Sequence, residues 1–401
     1  MKAVRSVLKA GLFATALMAV SQGAYATDII LTGNLYVADY GKSVMERYKW
    51  TYDQTTNVMT SITPNGINGS TTNAYFIGDA TNFPIKEGVH GTLNDLILVG
   101  GFHGSGVTNI SRYRLDGSLI GSIPVDFSAF NGGNVGIGNV VVTSDGKFMF
   151  APLESGNAVV KIDLATGAIV ASFAYNGAHD VALTADGQHI FVANYANATP
   201  KVIVLDSNLT AGSRVDLITA QPSGVSGPLR PSGLSVAADG SLYIDDNTNT
   251  SGGHDSILHY NITYTAGAPT AATYDATGSY VGSATNNALH FTFGNSIGPD
   301  GNLYIADLGG GGAGGFAVSN GHVDGVYKFD TTTHTVSLVI AGKTETAGAV
   351  GASSLSAPKY LQFDSNFVTA PDAGYAPEPA TLAVFSLGLG ALGIARRRKR
   401  A

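Results

Sequence analysis

Oxygen ligands are the first chemistry this chain offers. Asp39, Asn194, Asp246 and Asp307 each close one of four similar segments, LYVAD, IFVAN, LYIDD and LYIAD, and a fifth copy, FMFAP, has Pro152 there. Carboxylate and amide oxygens at matched positions suit a hard cation such as calcium. The same residues also bond nearby backbone amides in turns, so repeated structure explains the pattern equally well. Of the nine histidines, His179 and His290 precede apolar strand-like runs, where they would face a central channel and serve as general bases. His90, His103, His254 and His322 lie in Gly-rich stretches. No histidine lies in a spacing that defines a metal or nucleophile site, such as that of HExxH. The run Gly309–Gly315 lacks the Lys-Ser/Thr ending of a phosphate loop and reads as a loop between strands.

The elements that must position these residues repeat along the chain. One unit is an apolar strand, an Asp-Gly turn and a second apolar strand: VVVTSDGKFMFAP (140–152), VALTADGQHIFVAN (181–194), LSVAADGSLYIDD (234–246) and IGPDGNLYIAD (297–307). Asp-Gly between alternating apolar runs is a hairpin signal. A second unit falls between these, with turn residues Asp53, Asp116, Asp163, Asp206, Asn261 and Asp330. Two hairpins per unit make a four-stranded antiparallel blade, so the fold expected is all-β: a six-bladed β-propeller. A seventh blade fits if residues 67–90 hide another hairpin. The first unit lacks its first strand, and PKYLQFDSN (358–366) is a strand without a partner; pairing it with residues 33–39 would close the ring from both termini. The loops after second strands, including 246–255 and 309–315, would crowd one face, where binding is expected.

Both ends read as addresses. Residues 1–26 run from Lys2, Arg5 and Lys9 through an apolar stretch to Ala24-Tyr25-Ala26, a small-x-small site for signal peptidase. A signal helix is expected there. At the other end Pro377, Glu378 and Pro379 precede a 14-residue apolar run, Leu382 to Ala395, and a terminal basic cluster from Arg396. This run is short for a span and reads as a weak transmembrane helix whose basic end stays inside. The domains expected are 1–26 (signal peptide), 27–372 (propeller) and 373–401 (anchor).

Composition narrows the function. With 52 Gly, 44% hydrophobic and 13% charged residues, the chain suits short strands and tight turns. The absence of cysteine removes disulfides and thiolate metal sites. The formal net charge is −7, yet eight of the 22 basic residues lie in the two ends, so the part between carries about −14. That disfavours nucleic acid and anionic membrane as partners of the domain.

The order Pro-Glu-Pro, apolar run, basic cluster resembles the PEP-CTERM sorting signal. The resemblance implies a Gram-negative, exopolysaccharide-producing bacterium and an exosortase that recognises Pro377, Glu378 and Pro379. LYVAD, LYIAD and GPDGNLYIAD resemble NHL and YVTN-type propellers, which implies the fold and leaves the activity open. Calcium-dependent lactonases of the gluconolactonase type resemble the chain in its repeats alone. Their metal site needs a glutamate from an early strand, whereas Glu46, Glu87 and Glu154, the glutamates before residue 300, are at no evident inner-strand start. The function expected is therefore an exported, non-catalytic binding or scaffold module at the cell surface, with a polysaccharide or surface protein as ligand. The alternative is a secreted, metal-dependent hydrolase or lyase with its site in the channel.

Overall fold

The computed structural model describes residues 30–39, 44–70, 74–77, 84–85, 93–100, 107–114, 119–131, 135–195, 201–247, 255–283, 288–308, 323–344 and 358–363. The expected signal peptide with Ala24 and Ala26, the 14-residue apolar run and the sorting residues Pro377, Glu378 and Pro379 lie outside them, as does the turn at Asp116. Among the described residues no helix is long and apolar enough to cross a membrane.

The described chain is built of β-strands and turns, with a short 3-10 turn at Ala211–Ser213. It forms six antiparallel sheets, five of four strands and one of five. Sheet I contains Ile30–Asp39, Val44–Asp53 and Val58–Ser70, with Pro358–Phe363 as its first strand. Sheets II to VI follow in order, with first strands Ala74–Ile77, Val141–Val142, Ala178–Leu183, Pro231–Val236 and Thr292–Ile297. Residues 74–77 and 84–85 both pair with Leu93–Gly100, so this stretch belongs to sheet II.

The turns follow from their residues. Gly146, Gly187, Gly240 and Gly301 of the Asp-Gly turns have φ between 66° and 85°, a region side chains other than glycine rarely adopt. The aspartate before each holds the turn: Asp145 Oδ1 accepts from Lys147 N at 3.1 Å, and Asp186 Oδ1 from Gln188 N at 3.0 Å. The second turns are built alike, with Asp163 Oδ1 accepting from Ala165 N and Thr166 N. Asn261 departs from this expectation. It lies inside Ser256–Thr265, opposite Thr273, and the hairpin turns at Ala266 and Gly267. The sequence continues its strand-forming run through Ile262, Thr263, Tyr264 and Thr265.

Leu35 pairs with Phe363 and Val37 with Leu361, so residues from the two ends of the described chain share sheet I. Phe363 is fully buried, its ring 4.8 Å from Tyr304 of sheet VI and 6.4 Å from Trp50 of sheet I. The first strands of sheets IV, V, VI and I pack each on the next. One core cluster joins sheets I, II and III through Ala38, Ile110, Val125, Val142 and Met149. The apolar faces of successive sheets thus meet face to face, the packing of a β-propeller.

Candidate functional site

Five first strands share one irregularity. In sheet IV the register passes from Ala178 opposite Asn194 to Asp180 opposite Ala193, which leaves His179 as an extra residue. The same bulge leaves Ser232 extra in sheet V, Phe293 in sheet VI, Lys359 in sheet I and Tyr75 in sheet II. A bulge kinks the strand and re-aims the extra side chain. The frame thus presents a different residue at one repeated position.

Asp39, Asn194, Asp246 and Asp307 are the residues opposite these bulges. All four are buried. Asp246 Oδ1 accepts from Arg230 N at 2.8 Å, and Asp307 accepts from His290 N at 2.9 Å and Phe291 N at 3.1 Å. These donors immediately precede the bulged strands, where the ladder gives them no partner. The four belong to four different sheets, and among the described residues no three His, Asp or Glu side chains converge as a metal site. Asp246 and Asp307 thus satisfy backbone amides that lie just before the strands they face. His290 donates its backbone N–H to Asp307.

His179 comes from sheet IV and Phe293 from sheet VI, yet their ring centroids are 5.8 Å apart. They meet across the small Ser232 of sheet V. Tyr195 lies 4.9 Å from the His179 ring, and Phe291 stands edge-on to Phe293 at 4.9 Å. His179 Nε2 is 2.9 Å from Glu154 Oε1 of sheet III. Arg230 lies over the Tyr195 ring at 5.8 Å, a cation–π distance. Burial pushes the Tyr195 hydroxyl up to about 12, so it remains a neutral donor. Side chains of four sheets thus cap one end of the first strands with rings, one cation and one His–Glu pair. Tyr195, Arg230 and Phe293 escaped the sequence reading; aligning AHD, PSG, TFG and PKY would have marked the bulged position.

First-strand residues Val141, Val181, Leu234 and Asn295 line a cavity of about 950 Å³, which extends to the Asp-Gly turns at Ser144, Asp239 and Pro299. Its wall includes Asn139, Ser235 and Asn295. Behind the wall two carboxyls are fully buried. Asp180 accepts from Val181 N at 2.6 Å and Leu234 N at 2.7 Å, and burial raises its pKa well above the usual carboxylate range. Asp245 accepts from Asn295 Nδ2 at 2.6 Å, and burial pushes it up to about 7. A neutral carboxyl is the stable form in such surroundings. At the outer rim His259 Nδ1 is 3.0 Å from Asp275 Oδ2, and its ring stacks on Tyr243 at 4.6 Å.

Among curated protein sequences none matches the chain. Solved structures resemble it in shape at low identity. The nidogen/laminin complex matches with TM-score 0.52 and 12% identity over 84% of this chain and 99% of that one. A candidate 6-phosphogluconolactonase from Bacteroides fragilis NCTC 9343 matches with TM-score 0.47 and 16% identity, over 84% and 99%. The β-propeller domain of Cps50 (Swd1) from Myceliophteria thermophila gives 0.39 and 10%, over 70% and 96%. At such identities the first of these speaks for fold alone. Residues 376–400 match the PEP-CTERM protein-sorting motif. The chain therefore carries the C-terminal signal of exported, surface-sorted proteins of Gram-negative bacteria, which implies processing by an exosortase.

Proposed function

We propose that the six sheets are the blades of one closed propeller, exported and held at the cell surface or in the surrounding matrix, where it acts as a non-catalytic binding or scaffold module. Its ligand is a polysaccharide or another surface protein, engaged on the face that carries His179, Tyr195, Arg230 and Phe293. The observation that carries this reading is the contact of His179 with Phe293 across sheet V. Rings fill the place where a metal-dependent hydrolase needs converging oxygen ligands and an open coordination position. Aromatic faces beside one guanidinium favour a ligand that stacks and hydrogen-bonds.

The test uses the chain purified after export. Metal analysis and a lactone-hydrolysis screen are run beside binding to the producing cell's own surface polysaccharide. Binding without stoichiometric metal or turnover supports the module. Turnover of a lactone that is lost on chelation supports the hydrolase alternative instead and overturns the proposal.

A further inference from the structure

The sequence holds six Asn-x-Ser/Thr triplets without a central proline, at Asn68, Asn109, Asn197, Asn208, Asn249 and Asn261. In an exported chain this triplet is the acceptor for N-linked saccharide. A chain rich in Asn, Ser and Thr contains such triplets by composition alone, so the fold has to select among them. Asn68, Asn109 and Asn261 are paired inside strands, opposite Met45, Pro124 and Thr273. A transferase that bends the chain around its acceptor would have to break those ladders. Asn197 and Asn249 lie outside the described residues. Asn208 alone of the described four is in a turn, between Val202–Asp206 and the 3-10 turn Ala211–Ser213.

That turn presents the triplet outward. Asp206 Oδ1 accepts from Asn208 N at 3.2 Å and from Thr210 N at 2.8 Å, so the turn is held by its own side chain. Leu209, between the two, is 4% exposed and packs in the core cluster of Ile203 and Leu205. Asn208 and Thr210 are exposed on either side of it. Leu209 thus plugs the core while the two residues a transferase reads face solvent. Its φ of 58° is a left-handed conformation uncommon for leucine, and such outliers gather at functional positions. The Asn208 carboxamide makes no hydrogen bond to the described residues, so its nitrogen is open to reaction. We propose that Asn208 is a glycosylation site whose co-substrate is a lipid-diphosphate-linked saccharide. Asn208 Nδ2 attacks the anomeric carbon. A C–N bond forms as the C–O bond to phosphate breaks, the lipid diphosphate leaves, and the amide proton passes to a base of the transferase. Asp206 pairs with His189 beside the Gly187 turn, whereas Asn194 lies opposite the bulge at His179. The saccharide therefore sits at the end of sheet IV remote from the cap and keeps the proposed binding face clear. The site requires export and does not rest on the binding-module reading.

The exported chain is purified from the producing cells, and its tryptic peptides are weighed and fragmented by mass spectrometry. Cleavage after Lys201 and Arg214 releases residues 202–214, in which Asn208 is the sole triplet asparagine. A chain made without residues 1–26, kept in the cytoplasm where nucleotide sugars are the donors, is the comparison. The exported peptide is expected to be heavier by one saccharide attached to Asn208, and the cytoplasmic peptide to have its bare mass. Asn208→Gln and Thr210→Val should abolish the added mass, and Thr210→Ser, which keeps the hydroxyl, should retain it. A bare peptide from the exported chain overturns the proposal. Added mass that survives in Asn208→Gln, or that maps to serine, threonine or the other asparagines alone, overturns it as well. Equal modification of the cytoplasmic chain overturns the lipid-linked donor.

Discussion

His179 and Phe293 stand 5.8 Å apart although one whole sheet separates them along the chain. Two residues of non-adjacent sheets touch only where the first strands converge, and a repeated bulge turns both side chains inward. The contact therefore measures how tightly the first strands pack at this end.

Removing one ring should open it. Phe293→Ala takes away the contacts to His179, Tyr195 and Phe291. Truncation of a buried phenylalanine costs about 3–5 kcal/mol. Urea unfolding should show that loss in the midpoint with an unchanged slope. A loss under about 1 kcal/mol would mean that these rings are loosely packed, and the argument that they fill this end of the first strands would fall.

Asp307→Ala separates the structural role of the repeated acids from a metal role. The variant leaves His290 N–H and Phe291 N–H without their acceptor, so a loss of about 1–3 kcal/mol is expected. Chelation should leave the melting temperature of the parent chain unchanged. A melting temperature that drops with chelator, in the parent but not the variant, would return Asp307 to the list of metal ligands.

Much of this frame is legible in the sequence. Asp-Gly turns, alternating apolar runs and the unpartnered segment at 358–366 announce sheets and the pairing of Leu35 with Phe363 because each rests on local chemistry. The bulges are not announced, since an extra residue in one strand appears only against its partner. That is why Asp39, Asn194, Asp246 and Asp307 read as ligands while they in fact sit opposite bulges. Arg230 and Tyr195 were invisible for a related reason: they lie far apart in sequence, and only sheet packing lays one over the other. The position of the Ala266-Gly267 turn was missed because Asn261 suits a turn as well as a strand.

Glycine at 138 is dictated by the approach of sheet III to sheet IV. A Cβ there would strike the His179 carbonyl, the acceptor for Asn139 N at 3.1 Å. The obstacle is backbone and cannot swing away. Gly138→Ala should cost about 1–3 kcal/mol or more and disturb the His179 ring. Near-ultraviolet circular dichroism and the urea midpoint should change together; an unchanged midpoint would contradict this packing.

The buried carboxyls fix how stability depends on pH. An unfolded aspartate titrates near 4, but Asp245 does so near 7 and Asp246 near 6 in the fold. Between these limits the folded chain keeps protons that the unfolded chain has released. Stability must therefore fall as pH rises from about 4 to 7, by at most about 1.4 kcal/mol per unit for each such group. Asp180, raised by burial, acts in the same direction. The turn aspartates act oppositely. Asp53, Asp186 and Asp330 are held low by amide and hydroxyl donors, so their stabilisation is present above the ordinary carboxylate range and is lost as pH falls below it. Together they place the stability maximum near pH 4–5. Asp245→Asn keeps an oxygen for Asn295 Nδ2 and cannot ionise, so urea midpoints at pH 5, 6 and 7 should decline less steeply in the variant. Parallel slopes in the two proteins would show that Asp245 is ionised throughout and that its burial is relieved by a group that the present contacts do not include.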